Sequence, residues 1–264
     1  ISNTAPEGVI PDSVKWSFYI GAGILLLCVL YTFLAVKEMN PQEYAEFHGL
    51  NKKKEETAEQ GSSNTKHIVN AFVTVGLVQF FCWAAFLFMW TYSNGAIATQ
   101  CFGWDGVSTA AQPFQDAGNW VGVCFAVQAI GSMLWALLIP VLEKYFHNKG
   151  AYAISLIVGA LGFVSTMFVT NQYVLLVSYA FIGAAWAAML ALPFTIIINA
   201  ISGSKYMGTL LGLFNCTICL PQIVAALIGG SILKYMCAGS QVGMLVVAGI
   251  LLILGAISVV LIKE

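Results

Sequence analysis

The chain has 264 residues, of which 59% are hydrophobic and 9% charged, and its formal net charge is −1. Soluble domains carry about 25% charged residues, so a water-soluble enzyme, a disordered chain and a nucleic-acid-binding module are poor readings of this composition. A mean hydropathy of +0.83 and long apolar runs point to an all-α integral membrane protein.

The first stretch, Ile1 to Val14, is polar and holds Pro6 and Pro11. It lacks the basic start, short apolar core and small-residue cleavage site of a secretory signal. It reads as an external loop whose upstream residues lie outside the sequence. Seven windows then supply the ~20 mostly apolar residues that a span needs. They are Trp16–Val36, Ile68–Tyr92, Trp120–Leu142, Ala151–Thr170, Tyr173–Ile201, Met207–Tyr235 and Val242–Ile262. Turn chemistry bounds most of them: Asn40-Pro41, Ser93-Asn94-Gly95, Asn148-Lys149-Gly150, Ser202-Gly203-Ser204 and Ala238-Gly239-Ser240.

Every basic side chain is a lysine, and cytoplasmic loops retain lysines. With the N-terminus outside and the C-terminus cytoplasmic, Lys37, Lys52, Lys53, Lys54, Lys66, Lys144, Lys149, Lys205 and Lys263 fall inside. Only Lys15 and Lys234 fall outside. The lysine-free loop from Ser93 to Asn119, with Asp105 and Asp116, is then external. Residues 37–67 form the one long charged stretch, with Lys52-Lys53-Lys54 beside Glu55, Glu56 and Glu59. It reads as a cytoplasmic linker. Tyr44, Phe47 and Leu50 recur within it at three-residue spacing, as in a short helix on the membrane surface. Three parts follow: 1–36, an external loop and a single helix; 37–67, the linker; 68–264, a group of six helices. One plus six is the arithmetic of a larger protein whose first half ends with Trp16–Val36.

The six-helix group divides into two sets of three. The first set starts near Asn70 and the second near Tyr173; thirteen residues into the first stands Trp83-Ala84-Ala85-Phe86-Leu87, and thirteen into the second Trp186-Ala187-Ala188-Met189-Leu190. At ~1.5 Å per residue both tryptophans lie near the bilayer midplane. The two helices run in opposite directions by the lysine count, which is the geometry of an inverted repeat. Polar and aromatic residues also share helix faces. Gln79, Trp83, Trp90 and Asn94 do so on the second window, and Cys124, Gln128, Ser132 and Trp135 on the third. Tyr179 and Trp186 share one on the fifth, and Asn215, Cys219 and Gln222 on the sixth. Intramembrane amides face protein or a water-filled path. Amides bind hydroxyls, and flat rings pack on the apolar face of a sugar. The candidate substrate-binding set is therefore Gln79, Trp83, Trp90, Gln128, Trp135, Tyr179, Trp186, Asn215 and Gln222, for a neutral polyhydroxy ligand. Helix–helix hydrogen bonding is the competing reading of each.

No Asp, Glu, Lys or His lies inside a window; Glu143 and Lys144 sit at an end. The histidines, His48, His67 and His147, are scattered in loops, so neither a metal centre nor an intramembrane protease is expected, and no cofactor is implied. Cys216 and Cys219 form a C-x-x-C on an apolar helix, where free cysteine is a small hydrophobe. Cys101 and Cys237 both fall on the external side, where pairing is one option. Gly208, Gly212 and Gly229-Gly230 suit close helix packing, and Pro140, Pro193 and Pro221 suit bends.

Gly208-Thr209-Leu210-Leu211-Gly212-Leu213-Phe214-Asn215, followed by Leu220-Pro221-Gln222, resembles the G-x-x-x-G-x-x-N…P-Q pattern of sucrose–proton symporters. These belong to the glycoside–pentoside–hexuronide:cation symporter group of the major facilitator superfamily. Ala191-Leu192-Pro193-Phe194 is similar to that family's preceding helix, and Phe80-Phe81-Cys82-Trp83-Ala84-Ala85-Phe86 resembles its seventh. The likeness covers Ile68 to Glu264, the C-terminal half, with Trp16–Val36 as helix six. The family's acidic pair after the aromatic run is replaced here by Thr91-Tyr92-Ser93-Asn94. The resemblance implies a sugar or glycoside, a disaccharide, taken up with a coupling cation (H⁺ or Na⁺) across a bacterial inner membrane. It also implies an N-terminal half as partner. A seven-helix receptor and a self-contained channel are the alternatives. The last window has no lysine for a retinal Schiff base, and no channel filter motif is visible.

Overall fold

A computed structural model describes residues 12–36, 43, 61–202, 204 and 206–262. The chain divides into two compact units, Ile1–Asn64 and Thr65–Glu264. Most of the 37–67 linker, including Tyr44, Phe47, Leu50 and the lysine triplet, lies outside the described residues, as do Lys205 and Lys263.

Within the first unit, α1 spans Asp12–Ala35. An ion pair joins Lys15 to Asp12 across a turn at 3.0 Å. Trp16, Phe18 and Phe33 are exposed, as suits a helix whose solvent is lipid.

The second unit is helical throughout its regular structure. In chain order come α2 (Gly61–Cys101), α3 (Gln112–Ser165), α4 (Gln172–Ile201), α5 (Met207–Phe214), α6 (Cys216–Ser231) and α7 (Gln241–Ser258). A π-helical turn, Ile232–Met236, extends α6, and a 3₁₀ turn, Val259–Leu261, closes α7. Among the described residues six helical stretches are long and apolar enough to cross a membrane, counting α5, α6 and the π turn as one. That is the pattern of a multi-pass integral membrane protein.

One stretch does the work of two. At 54 residues, α3 would run ~80 Å if straight, far beyond a bilayer. Its backbone leaves helical geometry at His147 (φ 59°, ψ 174°). Beyond that point the chain returns on itself: the Trp135 indole donates to Ser155 Oγ at 2.9 Å, although a straight helix would hold these residues ~30 Å apart. This one stretch thus holds two of the expected windows, and the turn expected at Asn148-Lys149-Gly150 is compressed to His147. We refer to the arms as α3a (112–146) and α3b (148–165).

The turn expected at Ser93-Asn94-Gly95 does not form; α2 continues to Cys101. Gly95 serves packing instead, because a Cβ there would overlap the Gln241 side chain at the start of α7. Ser93 is likewise used internally, accepting a hydrogen bond from Tyr179. The helix also starts earlier than expected, at Gly61, inside the stretch assigned to the linker. Other boundaries follow local chemistry. Asn171 caps α4 by accepting from the Tyr173 amide at 2.8 Å, and Ser240 caps α7 by accepting from Gly243 at 3.2 Å. The turn expected before α7 forms, with Gly239 at φ 83°, as suits glycine, and Ala238 also at positive φ, 50°.

Small residues set the helix contacts. Gly183 of α4 lies against the backbone of Gln128 and Ser132 on α3a, and Gly131 of α3a against Ala180. Gly159 and Gly162 of α3b pack on α4, the latter's Cβ position 2.7 Å from the Ser178 carbonyl oxygen. On the other side of the unit, Gly76 of α2 meets the Thr217 methyl of α6, and Gly229 of α6 meets Phe88 and Tyr92 of α2. Gly255 of α7 faces Cys82 of α2, and Gly249 of α7 faces Ala160 and Val164 of α3b. The core includes Phe86, Tyr152, Phe163, Tyr179, Ile182 and Met189, all essentially solvent-free.

Candidate functional site

The site forms where α2 and α4 cross. Trp83, Phe86 and Trp90 are three, then four residues apart on α2, so their rings stack along one face. Alanines follow both Trp83 and Trp186, and the small side chains let the two helices close on each other. As a result Trp186 of α4 enters the α2 stripe. Its ring lies 5.9 Å from Trp83, 4.9 Å from Phe86 and 5.7 Å from Trp90 between centroids. Trp83 and Trp90 are 6.4 Å apart. The contacts are tilted or edge-on, the arrangement that ring quadrupoles favour. Trp83 is buried and Trp90 is 40% exposed, so the cluster runs from the interior to an open face.

One turn before Trp83, Gln79 is fully buried. Its Nε2 donates to the Met189 carbonyl of α4 over a long 3.5 Å. Gln79 Oε1 and Trp83 Nε1 have no partner, and neither does Asn94 Oδ1. Among the described residues these three are the buried side-chain polar atoms left unpaired, and all three lie on α2. Each such atom costs about 1–3 kcal/mol until something satisfies it.

The other candidates sit elsewhere. Tyr179 donates to Ser93 Oγ at 2.8 Å in the buried core. Trp135 ties the two arms of α3 together. Gln128 is buried where Gly183 packs on its backbone. Gln222 donates to its own helix, to the Ile218 carbonyl at 3.1 Å. Asn215 is exposed at the break between α5 and α6, where Asn215 and Ile218 donate to carbonyls three residues back. The structure therefore joins Gln79, Trp83, Trp90 and Trp186 in one cluster, while the bonds of Trp135, Tyr179 and Gln222 are structural. Phe86 belongs to the cluster and was not among the candidates. Its place three residues after Trp83 was the available signal, but an apolar ring inside an apolar run does not stand out.

The cluster holds no Asp, Glu, His or Lys, so it carries no general acid, base or charged ligand. Among the described residues no three His, Cys, Asp or Glu side chains come together as a metal site would require. All seven cysteines are free thiols. Cys237 lies 3.7 Å from the Met244 sulfur, and burial pushes its thiol above the usual range. What the arrangement offers is aromatic surface, one unpaired donor and unpaired acceptors, in a setting with low dielectric. Comparison of the chain with protein-family models, with curated proteins and with solved structures gives no match.

Proposed function

We propose that residues 68–264 are the C-terminal six-helix half of a major facilitator transporter. It carries a neutral sugar or glycoside, a disaccharide, by alternating access with a coupling cation, H⁺ or Na⁺. In this reading α1 is the last helix of the N-terminal half. That half completes the pathway, in the inner membrane of a bacterium.

The observation that carries the reading is the Trp83–Phe86–Trp90–Trp186 cluster, built by the same Trp-Ala-Ala string on two antiparallel helices. The packing supports it. Exchanging the first three passes (α2, α3a, α3b) for the last three (α4, α5–α6, α7) maps most of the glycine contacts between helices onto one another, the exception being that of Gly118 on α3a with Asn94 on α2. The contact of α3a with α4 becomes that of α6 with α2. The contact of α3b with α4 becomes that of α7 with α2, and the contact of α3b with α7 maps onto itself. Trp83 against Trp186 then lies on the exchange axis. Such an exchange supports the reading as a 3+3 inverted repeat, whose interface near the midplane is the substrate site in secondary transporters. Indole faces suit the C–H face of a pyranose, and buried amides suit its hydroxyls.

The test is counterflow in proteoliposomes with the full-length protein. Vesicles loaded with unlabelled sucrose, maltose or lactose should accumulate the labelled sugar transiently, and Trp186→Ala should abolish this. Absence of exchange for every one of these sugars, with protein correctly inserted, overturns the reading.

A further inference from the structure

We infer that Gln79 and Trp83 together grip one substrate hydroxyl, and that this pair sets which sugar position must be unmodified; the inference rests on the sugar reading above. The two side chains are four residues apart, hence one turn apart on the same face of α2. Both are more than nine-tenths buried, and each ends in an orphan atom. The orphans are complementary. Trp83 Nε1–H can only donate. Gln79 presents its carbonyl oxygen, because its amide nitrogen must face the Met189 carbonyl: the reverse orientation would set oxygen against oxygen.

A group that satisfies both must accept one hydrogen bond and donate another. A neutral hydroxyl does this with a single oxygen. An ether or O-methyl oxygen accepts from Trp83 but cannot donate to Gln79. A carboxylate or phosphate oxygen accepts from Trp83 and repels Gln79 Oε1. An ammonium donates to Gln79 and repels the indole N–H. The chemical class is therefore an uncharged alcohol.

The inverted repeat supplies a control. When the two helices are aligned on Trp83 and Trp186, the position of Gln79 is taken in α4 by Ile182, which is fully buried. The frame thus accepts an isoleucine at this register. Burying an amide with an open acceptor is not something the packing requires.

The test uses the full-length protein in nanodiscs, with sucrose and maltose as probes and their monodeoxy derivatives alongside. Binding is read by calorimetry. Gln79→Ile copies the repeat counterpart, and Trp83→Phe keeps an aromatic ring while deleting the donor. Each should weaken binding about 2- to 13-fold, the worth of one hydrogen bond. One deoxy derivative should lose a similar factor against the native protein but little or nothing further against the double variant. A merely structural role for the pair would not move this selectivity. Unchanged binding in both single variants, each with native thermal unfolding, overturns the inference and leaves the sugar reading standing. So does a deoxy series that loses equally in native and double-variant protein, which would assign the orphan atoms to an internal water. If the native protein binds neither sugar the inference falls, and the sugar reading falls with it when counterflow of sucrose, maltose and lactose is absent as well.

Discussion

The two Trp-Ala-Ala helices start from the same string and end in different roles. Aligned on their tryptophans, Gln79, Trp90, Ser93 and Asn94 of α2 correspond to Ile182, Pro193, Ile196 and Ile197 of α4. The α2 helix carries the polar atoms, including the three buried ones without partners. Its counterpart is apolar at every one of those positions. The α4 helix instead carries the tightest backbone contacts, where Gly183 meets α3a and α3b places Gly159 and Gly162 against it. The two helices thus share a string and divide what they carry: buried polar atoms without partners on α2, close backbone contacts on α4.

The sharpest way to break this comparison is to truncate the one aromatic that α4 contributes. Trp186 touches Trp83, Phe86 and Trp90. Replacing it by Ala should cost about 3 kcal/mol of stability, as for other well-packed aromatics, and abolish sugar exchange. Trp90→Ala, at a 40% exposed ring, should cost less stability than Trp186→Ala and still weaken sugar binding. Thermal unfolding in detergent beside counterflow separates the two effects. Equal stability losses would mean that the cluster is only core.

A smaller effect tests the scaffold side. A Cβ at Gly183 would stand 2.6 Å from the Ser132 amide nitrogen, and backbone cannot yield cheaply. Gly183→Ala should cost about 1–3 kcal/mol, the range for overpacking. At Gly76 on α2 the same change meets a Thr217 methyl at 3.3 Å, a side chain that can give by a few tenths of an ångström. Gly76→Ala should stay within about 0.5 kcal/mol. Thermal unfolding of both variants checks the ranking, and a reversed order would put the rigid contact on α2.

Much of this was legible in the residues, for stated reasons. Apolar length fixes a pass, so the crossings could be placed, and Trp-Ala-Ala announced the pairing of α2 with α4. Turn residues misled where tertiary packing had another use for them. Gly95 looks like a breaker, but it is a flat spot for Gln241, an interaction between residues far apart in sequence. The helical wheel also has a physical limit. It places Cys124, Gln128, Ser132 and Trp135 on one face of α3a, yet it does not say what that face meets. Here it meets Gly183 of α4 and Ser155 of α3b. Tyr179 and Trp186 are seven residues apart and share a side of α4, but one bonds Ser93 and the other stacks on Trp83.

Tyr179 gives the next prediction down. Its hydroxyl donates to Ser93 Oγ across the α4–α2 contact. Tyr179→Phe leaves Ser93 without this partner and should cost about 0.5–1.5 kcal/mol. Sugar affinity should stay the same, since the bond lies outside the aromatic cluster. Paired unfolding and calorimetry check this. A weakened affinity with unchanged stability would move Tyr179 into the site and blur the division between the helices.

The smallest expected effect is none, and it concerns the acids. Within the described spans of the second unit the carboxylates stand at ends or in loops. Asp105 Oδ1 accepts from the Val107 amide at 3.0 Å in the loop after α2, and Asp116 Oδ1 accepts from Gln112 Nε2 at 2.8 Å. Both bonds are local and tie a turn or a helix start. Asp105 is exposed, and exposed charges are screened beyond ~8–10 Å at physiological salt. Glu143 lies near the other end of α3a, close to the His147 reversal. A coupling carboxylate has to feel the loaded and empty states of the site, which calls for an intramembrane position. Asp105→Asn, Asp116→Asn and Glu143→Gln should each shift stability by less than about 0.5 kcal/mol and leave gradient-driven uptake intact. The measurement is uptake of labelled sugar into proteoliposomes of the full-length protein, under a proton gradient alone and then a sodium gradient alone. If one of the three variants keeps sugar binding but loses accumulation, the proposed transport draws its driving charge from these helices. The division of labour drawn between α2 and α4 would then be missing its most important residue.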